Sequence, residues 1–282
     1  MTVEIKALVD PSGSPSWRRL AWVASGGDGR PLGTAFLRIP SDDGAADLQV
    51  HVHPAERRAG VGTRLLDAAL AATAGPVLTE PVEEGSPGDH FCAARGLRLV
   101  LRLTYTRLAL DAAPTRPGEP VPGYRLIHWV GDTPPELVET FVRAHHAMDD
   151  MPMDDAAYVP QPWDADHLRF VTKAVADRGE FLCVTAALTT EGEIAAFTEL
   201  VVAADGGGDA QHYGTGVLPE HRGRGLARWM KAEQIGWVRS RFPAVTGLLA
   251  DTADSNTAMR RVNESLGYRP THRSLLYQHT PA

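Results

Sequence analysis

Two segments of the chain carry residue types suited to holding an anion. Val52–Gly62 reads VHPAERRAGVG and Val217–Ala227 reads VLPEHRGRGLA, and both fit V-x-P-x-x-R-x-x-G-x-[GA]. Val52/Val217, Pro54/Pro219, Arg57/Arg222, Gly60/Gly225 and Gly62/Ala227 agree without a gap, each pair 165 positions apart. Each segment follows a strand-like run and opens a helical one. Backbone N–H groups at a helix start lack intrahelical partners, and the helix dipole puts partial positive charge there. Glycines let the backbone approach an anion closely, so such a turn can cradle a phosphate or pyrophosphate. Arg57, Arg58 and Arg64 add positive charge near the first turn, and Arg222, Arg224 and Arg228 near the second. Neither copy has the lysine of a G-x-x-x-x-G-K-[ST] loop. Both turns follow several strands instead of opening a βαβ unit, so the Rossmann loop also fits poorly.

The elements that position these turns repeat as well. Before them lie Asp47–Val52 and Gln211–Val217, and after them come amphipathic helices. Each half continues with an apolar strand (Val77–Thr79; Val245–Ala250), a short helix ending in a glycine suited to the C′ position, and further strands (Leu99–Leu110; His272–His279). Upstream, Ala21–Ser25 with Leu32–Ile39, and Phe181–Leu188 with Ile194–Val202, flank glycine-bearing turns and read as hairpins. The opening strands are Val3–Val9 and Tyr124–Val130. Between the second of these and its hairpin lies an insert of about fifty residues with two helical patterns, Glu136–Met148 and Asp164–Ala176; the first half largely lacks it. The spacing predicts a mixed α/β protein in two duplicated parts. Asp111–Gly123, with Pro114, Pro117, Pro120 and Pro122, is the expected linker, dividing the chain into 1–110 and 124–282.

Composition sets outer bounds. The 282 residues are 43% apolar and 22% charged, ordinary for a globular protein of two domains. A net charge of −7 argues against non-specific nucleic-acid binding. Cys92 and Cys183 sit in core-like surroundings and form no disulfide framework. Met1–Asp10 does not read as a secretory leader, and no apolar run reaches membrane-spanning length. The expected setting is cytoplasmic, with no membrane and no nucleic-acid partner.

The constellation resembles the GCN5-related N-acetyltransferase (GNAT) superfamily, in which the [RQ]-x-x-G-x-[GA] turn binds the pyrophosphate of acetyl-CoA. A second motif supports this: Asp254–Pro270, DSNTAMRRVNESLGYRP, is similar to the family's N-x-x-[AM]…LGF helix, with Asn256, Met259, Leu266, Gly267 and Tyr268 in place. The first half keeps only HFCAARGL. The resemblance covers nearly the whole chain and implies a tandem form, similar to mycothiol-synthase-like acetyltransferases of actinobacteria. It implies two GNAT-like domains, each a mostly antiparallel mixed sheet flanked by helices. It also implies acetyl-CoA as cosubstrate and no metal. The coenzyme would be held by Thr215, Val217, Leu218, Arg222, Gly223, Arg224, Gly225, Leu226, Ala227 and Asn256, with Val52, Arg57, Arg58, Gly60 and Gly62 as first-half counterparts. Catalysis is expected in 124–282, the first half being a degenerate or structural partner.

An amine acceptor must lose its proton before it attacks a thioester, which calls for a base. Glu199, alternating with Phe197 and Val201 on one strand face, is the candidate; the competing reading is a carboxylate paired with an arginine across the sheet. The family's usual acid is a tyrosine four residues before the LGF glycine, where this chain has Asn263. Tyr213 or Tyr268 are substitutes, or the thiolate leaves unassisted. The insert Ala144–Leu168 is the expected acceptor wall. Asp149 and Asp150 would attract a cationic amine, with Met151, Tyr158 and Trp163 packing on an apolar body. Its other aspartates read as a solvated loop, and the His145-His146 pair fits no zinc spacing. The implied activity is acetyl transfer to the primary amine of a small molecule by a monomer or homodimer. The alternatives are a protein lysine or N-terminal acetyltransferase and a non-catalytic acyl-CoA-binding module.

Overall fold

The computed structural model describes residues 2–8, 17–41, 44–111, 113, 118–160 and 162–281. The first stretch forms β1 (Val3–Leu8), β2 (Trp17–Gly26), β3 (Pro31–Pro40), β4 (Ala46–Val52), α1 (Val61–Leu70), β5 (Val77–Thr79), β6 (Val82–Glu83), α2 (Pro87–Ala94) and β7 (Arg98–Ala109). Then follow β8 (Arg125–Val130), α3 (Val138–His145), α4 (Ala165–Asp177), β9 (Phe181–Leu188), β10 (Ile194–Val202), β11 (Gly207–Val217), α5 (Leu226–Arg241), β12 (Ala244–Ala253), α6 (Thr257–Ser265) and β13 (Arg269–His279). The mixed α/β class is as the spacing predicts. Val9, Pro114 and Pro117 lie outside the described residues.

The chain makes two compact units, Met1–Leu103 with Met153–Val159 and Arg273–Ala282, and Thr104–Pro152 with Pro160–His272. The units interleave in sequence. The part of β13 from Arg273 onward belongs to the first, and the part of β7 from Thr104 onward to the second. A simple cut at the proline-rich stretch does not reproduce this division.

In the first unit β1, β2, β3 and β4 form an antiparallel meander, and β4 pairs β5 in parallel from Ala46↔Val77 to Leu48↔Thr79. β13 pairs β5 through Gln278↔Leu78 and β6 through Leu275↔Val82. Val61, Leu65, Leu66 and Ala69 of α1 face inward at helical spacing and pack with Leu37, Leu48, Val77 and Tyr277. Each such fully buried large side chain contributes about 1.5–3 kcal/mol.

In the second unit β8, β9, β10 and β11 run antiparallel and β11 pairs β12 in parallel. β10 lies at the centre, and all nine of its residues are buried. Its alternation separates two cores. Phe197 and Val201 pack with Phe141 of α3 and Leu168 of α4; Leu200 and Val202 pack with Ile235 of α5 and Leu266 just past α6. The expected helix Glu136–Met148 is broken into three: 3₁₀ turns at Pro135–Leu137 and His146–Met148 flank α3. Pro134 and Pro135 stand at the start, where the N–H they lack would have no intrahelical partner. α4 begins where Asp164 accepts from the His167 N–H at 2.7 Å. Among the described residues no helix is long and apolar enough to cross a membrane.

Candidate active site

The two turns are built alike. Gly60 and Gly225 cap α1 and α5 in the left-handed region, with φ of 80° and 87°. Two residues earlier the backbone is left-handed again, at Arg58 (φ 66°) and Gly223 (φ 74°). That conformation costs a side-chain-bearing residue roughly 1–2 kcal/mol, so the second turn is relaxed where the first is strained. The motif arginine folds back in both copies. Arg57 Nε donates to the Val52 carbonyl at 3.4 Å, and Arg222 Nε to the Val217 carbonyl at 2.9 Å. Arg222 also grips the insert, donating to both Asp150 carboxylate oxygens at 2.6 and 2.8 Å and to the Ala147 carbonyl at 3.4 Å. The guanidinium holds the Asp150 carboxyl below its ordinary range. Asp150 is therefore not a free carboxylate awaiting a cation, and Arg222 is a clamp on strand and insert. The start of α5 at Leu226 adds backbone N–H groups that have no intrahelical partner. Arg224 reaches back to the Glu220 carbonyl at 3.4 Å, and the Leu226 side chain is core, so Leu226 has only its backbone to offer.

Beside the turn the sheet opens. The parallel register of β11 and β12 ends at Gln211↔Leu249, leaving His212–Val217 without a rung on β12. The Leu218 N–H bonds Ala195 on the β10 side at 3.0 Å, so by antiparallel alternation the N–H groups of Val217 and Thr215 point into the gap. The Thr215 hydroxyl is occupied with that of Thr198 at 2.8 Å. Asn256, capping α6, accepts from the Met259 N–H through Oδ1, which leaves its Nδ2 as a donor. In the first unit β4 parts from β5 after Leu48↔Thr79 in the same way. There the Cβ that alanine would add at Gly62 meets the Phe91 ring at 3.4 Å and Val52 at 3.5 Å, ordinary contact.

Glu199 stands opposite Gly214, three rungs from the Ala196↔Val217 pair at the turn. Tyr213 is the extra residue of a bulge that follows at once, since Leu200 pairs His212. Glu199 is 6% exposed, and among the described residues no arginine pairs with it. Its neighbour is His145: Nε2 lies 3.5 Å from Oε1, and both side chains are buried. His145 Nδ1 donates to the Phe141 carbonyl at 2.9 Å, while Nε2 has no hydrogen-bond partner among the described residues. The ring is stacked on Trp163 at 3.8 Å and lies 4.5 Å from Phe197. The Cβ that alanine would add at Gly216 would come within 2.8 Å of the Phe197 ring, so glycine lets β11 pass closely here.

The model of the acetyltransferase (GNAT) family matches residues 11–76 and 144–268. The chain belongs to the GNAT family. The mycothiol acetyltransferase of Clavibacter michiganensis subsp. michiganensis (strain NCPPB 382) is 31% identical over 232 residues, 78% of this chain and 67% of that one. The mycothiol acetyltransferase of Mycobacterium leprae (strain Br4923) is 28% identical over 255 residues, 86% of this chain and 78% of its own. A solved tandem GNAT protein from the clavulanic acid biosynthesis pathway superposes with a TM-score of 0.74 at 23% identity, over 95% of this chain and 84% of that one. A GCN5-related N-acetyltransferase from Sphaerobacter thermophilus gives 0.69 at 19% identity, over 92% and 80%. The likeness establishes two GNAT-like domains in tandem.

Within this GNAT protein the other expected side chains are dispersed. Tyr268 is buried; its hydroxyl donates to His212 Nε2 at 2.7 Å, because His212 Nδ1 donates to the Glu199 carbonyl at 3.3 Å. Burial pushes the Tyr268 phenol far up, and burial, then Lys231, holds His212 well down. Tyr268 is thus committed to a buried network instead of offering a proton. Asn263 is buried, with Nδ2 3.4 Å from the Thr252 hydroxyl and Oδ1 without a partner among the described residues; both residues line a cavity of about 320 Å³ together with Thr104, Arg261 and Tyr268. Tyr213 is exposed and bonded to Arg178 at 2.7 Å. Asp149 pairs with His146 at 2.9 Å, and Met151 follows with its N–H on the Met148 carbonyl at 3.1 Å. Trp163 stacks on His145, whose Nε2 lies 3.5 Å from Glu199. Tyr158 belongs to the first unit, where the neighbouring Ala157 N–H bonds Gln278 at 2.8 Å. His145 and Lys231 are the residues sequence reasoning misses. Lys231 is fully buried on α5, which pushes its ammonium down to about 7, and it lies 5.1 Å from the centre of the Tyr268 ring. Nothing in their spacing marks either one.

Proposed function

We propose that the protein is an acetyl-CoA-dependent N-acetyltransferase that moves an acetyl group to the primary amine of a small molecule by direct attack on the thioester. One observation carries this reading. In the second unit a strand gap ends in a glycine-opened helix start, and three rungs from that turn stands a buried carboxylate, Glu199, with no arginine partner among the described residues. The turn of 223–227 receives the pyrophosphate through backbone N–H groups. The N–H groups of Thr215 and Val217 meet the pantetheine chain and the thioester carbonyl; fixed donors of this kind are commonly worth a few kcal/mol as the oxyanion develops.

Glu199 takes the acceptor's proton as the N–C bond forms and the C–S bond breaks. The electron pair of the C–S bond leaves on sulfur, whose thiolate is a far better leaving group than an alkoxide and departs without a phenol to protonate it. The relatives named for mycothiol support a small acceptor, and the insert carrying Asp150 and Trp163 supplies a wall for it.

The first unit fills the Glu199 rung with Phe36, opposite Gln49, which supports its being non-catalytic. The test is an amine panel with acetyl-CoA, read by free thiol release and by the mass of the product. Acetylated small amines support the reading. Preference for peptide acceptors moves it to protein acetylation, and coenzyme binding without thiol release reduces it to a binding module.

A further inference from the structure

His145 has a feature that packing alone does not account for. The Phe141 carbonyl can only accept, so the Nδ1 that meets it at 2.9 Å carries a proton. The remaining nitrogen, Nε2, is buried, has no hydrogen-bond partner among the described residues, and lies 3.5 Å from the Glu199 carboxylate. An unpaired polar atom in a buried interior is costly to keep. It is also held still, because the ring is stacked on Trp163 with planes 23° apart and flanked by Phe197 and Phe141, both 4.5 Å away. The ring is fixed with its free nitrogen toward the carboxylate.

The other charged groups around it are spoken for. On its own helix Arg143 pairs with Glu193 and Glu220, and His146 beyond it with Asp149. From the insert, Asp150 is bound by Arg222. On α4, His167 meets Trp163 edge-on. On β11, Tyr213 is bonded to Arg178. Among the described residues Glu199 on β10 is the carboxylate within 4 Å of the imidazole.

We propose that His145 is the positioning residue of the base and the second resting place of its proton. This deepens the acetyltransferase reading and rests on Glu199 being the base. Before transfer the pair holds no proton between Nε2 and Oε1. As the acceptor nitrogen bonds to the acetyl carbon and the sulfur leaves with the C–S electron pair, the nitrogen's proton passes to Glu199. It then settles between the carboxylate and Nε2. An imidazolium there is compensated by Glu199 and by the aromatic faces around it. The pair later releases the proton to solvent, and no further reactant is consumed.

The experiment has two arms on the full chain. In the first, without acceptor, ¹⁵N-histidine-labelled wild-type and Glu199→Gln proteins are compared at one pH, and the two His145 ring nitrogens are followed. The Nε2 signal is expected to shift between the two proteins, while the Nδ1 signal, bound to the Phe141 carbonyl in both, stays. An unmoved Nε2 signal refutes the shared proton whatever the activity, and this arm needs no His145 variant to fold. In the second arm, kcat against pH is measured with acetyl-CoA and the best amine of the panel. His145→Gln is expected to lower kcat on the order of 10- to 100-fold, with an altered acidic limb and KM for acetyl-CoA within about twofold. His145→Phe, which keeps the aromatic packing, is expected to fare no better. If Glu199→Gln is inactive while either His145 variant keeps the wild-type profile, the inference falls and the acetyltransferase reading stands. If the wild-type chain transfers nothing to any amine, that reading falls, and the catalytic role of His145 with it.

Discussion

Phe36 occupies in the first unit the rung that Glu199 occupies in the second, each three pairs in from the turn along the same hairpin. One copy of the duplicated fold therefore has a carboxylate beside its open strands and the other a phenyl ring. Glu199→Gln should lower kcat by about 100-fold or more while leaving acetyl-CoA affinity within a few-fold. Thiol-release kinetics alongside coenzyme titration check this. Phe36→Glu should not restore turnover in the Glu199→Gln background.

Arg58 and Gly223 take the same left-handed backbone, one with a side chain and one without. Arg58→Gly should stabilise the protein by up to about 1 kcal/mol, the relief of strain exceeding the entropy that glycine adds to the unfolded chain. Gly223→Ala should destabilise it by about 1 kcal/mol. Opposite signs in denaturant midpoints are the result to look for.

Much of this is legible in the sequence. The 165-residue offset locates both turns, and the apolar runs flanking the glycine-bearing turn 189–193 place β9 and β10 at Phe181–Leu188 and Ile194–Val202, the bounds the structure shows. Three things are not legible. The Arg222–Asp150 clamp joins residues 72 positions apart, and no local pattern reports such a pair. His145 and Lys231 sit in helices where polar residues ordinarily face water; their burial is decided by β10 and Tyr268, far off in sequence. Tyr158 falls in a short stretch, Met153–Val159, that packs with the first unit although its neighbours on both sides belong to the second.

The clamp makes a directional prediction. Asp150→Asn removes the carboxylate that neutralises Arg222 and should tighten coenzyme binding by up to about fivefold, more at low salt, since exposed pairs of this kind are worth under about 1 kcal/mol. Arg222→Ala releases the Val217 carbonyl and the insert together and should weaken binding. Calorimetric titration at two ionic strengths tests both; identical salt dependence in the wild-type chain and Asp150→Asn would refute it.

Lys231 gives a pH signature. Burial pushes its ammonium to about 7, whereas an unfolded chain keeps lysine protonated to about 10.4. Between those values the unfolded state binds the extra proton, so this group makes stability rise with pH across that window and flat below it. The stability of the wild-type chain relative to Lys231→Met should therefore increase from about pH 7 to about pH 10, measured as the difference in chemical denaturation midpoints. A constant difference would place the amine in contact with water.

The interleaving of the units bears on how the molecule is made. β5 and β6 take their hydrogen-bonded partners from β13, whose Leu275 and Tyr277 are buried in the core beneath α1. The N-terminal sheet stays unfinished on the ribosome until residues 273–279 have been translated. A gene fragment ending at the proline-rich stretch would release a sheet with an exposed edge and an unfilled interior, prone to sticking to its own kind.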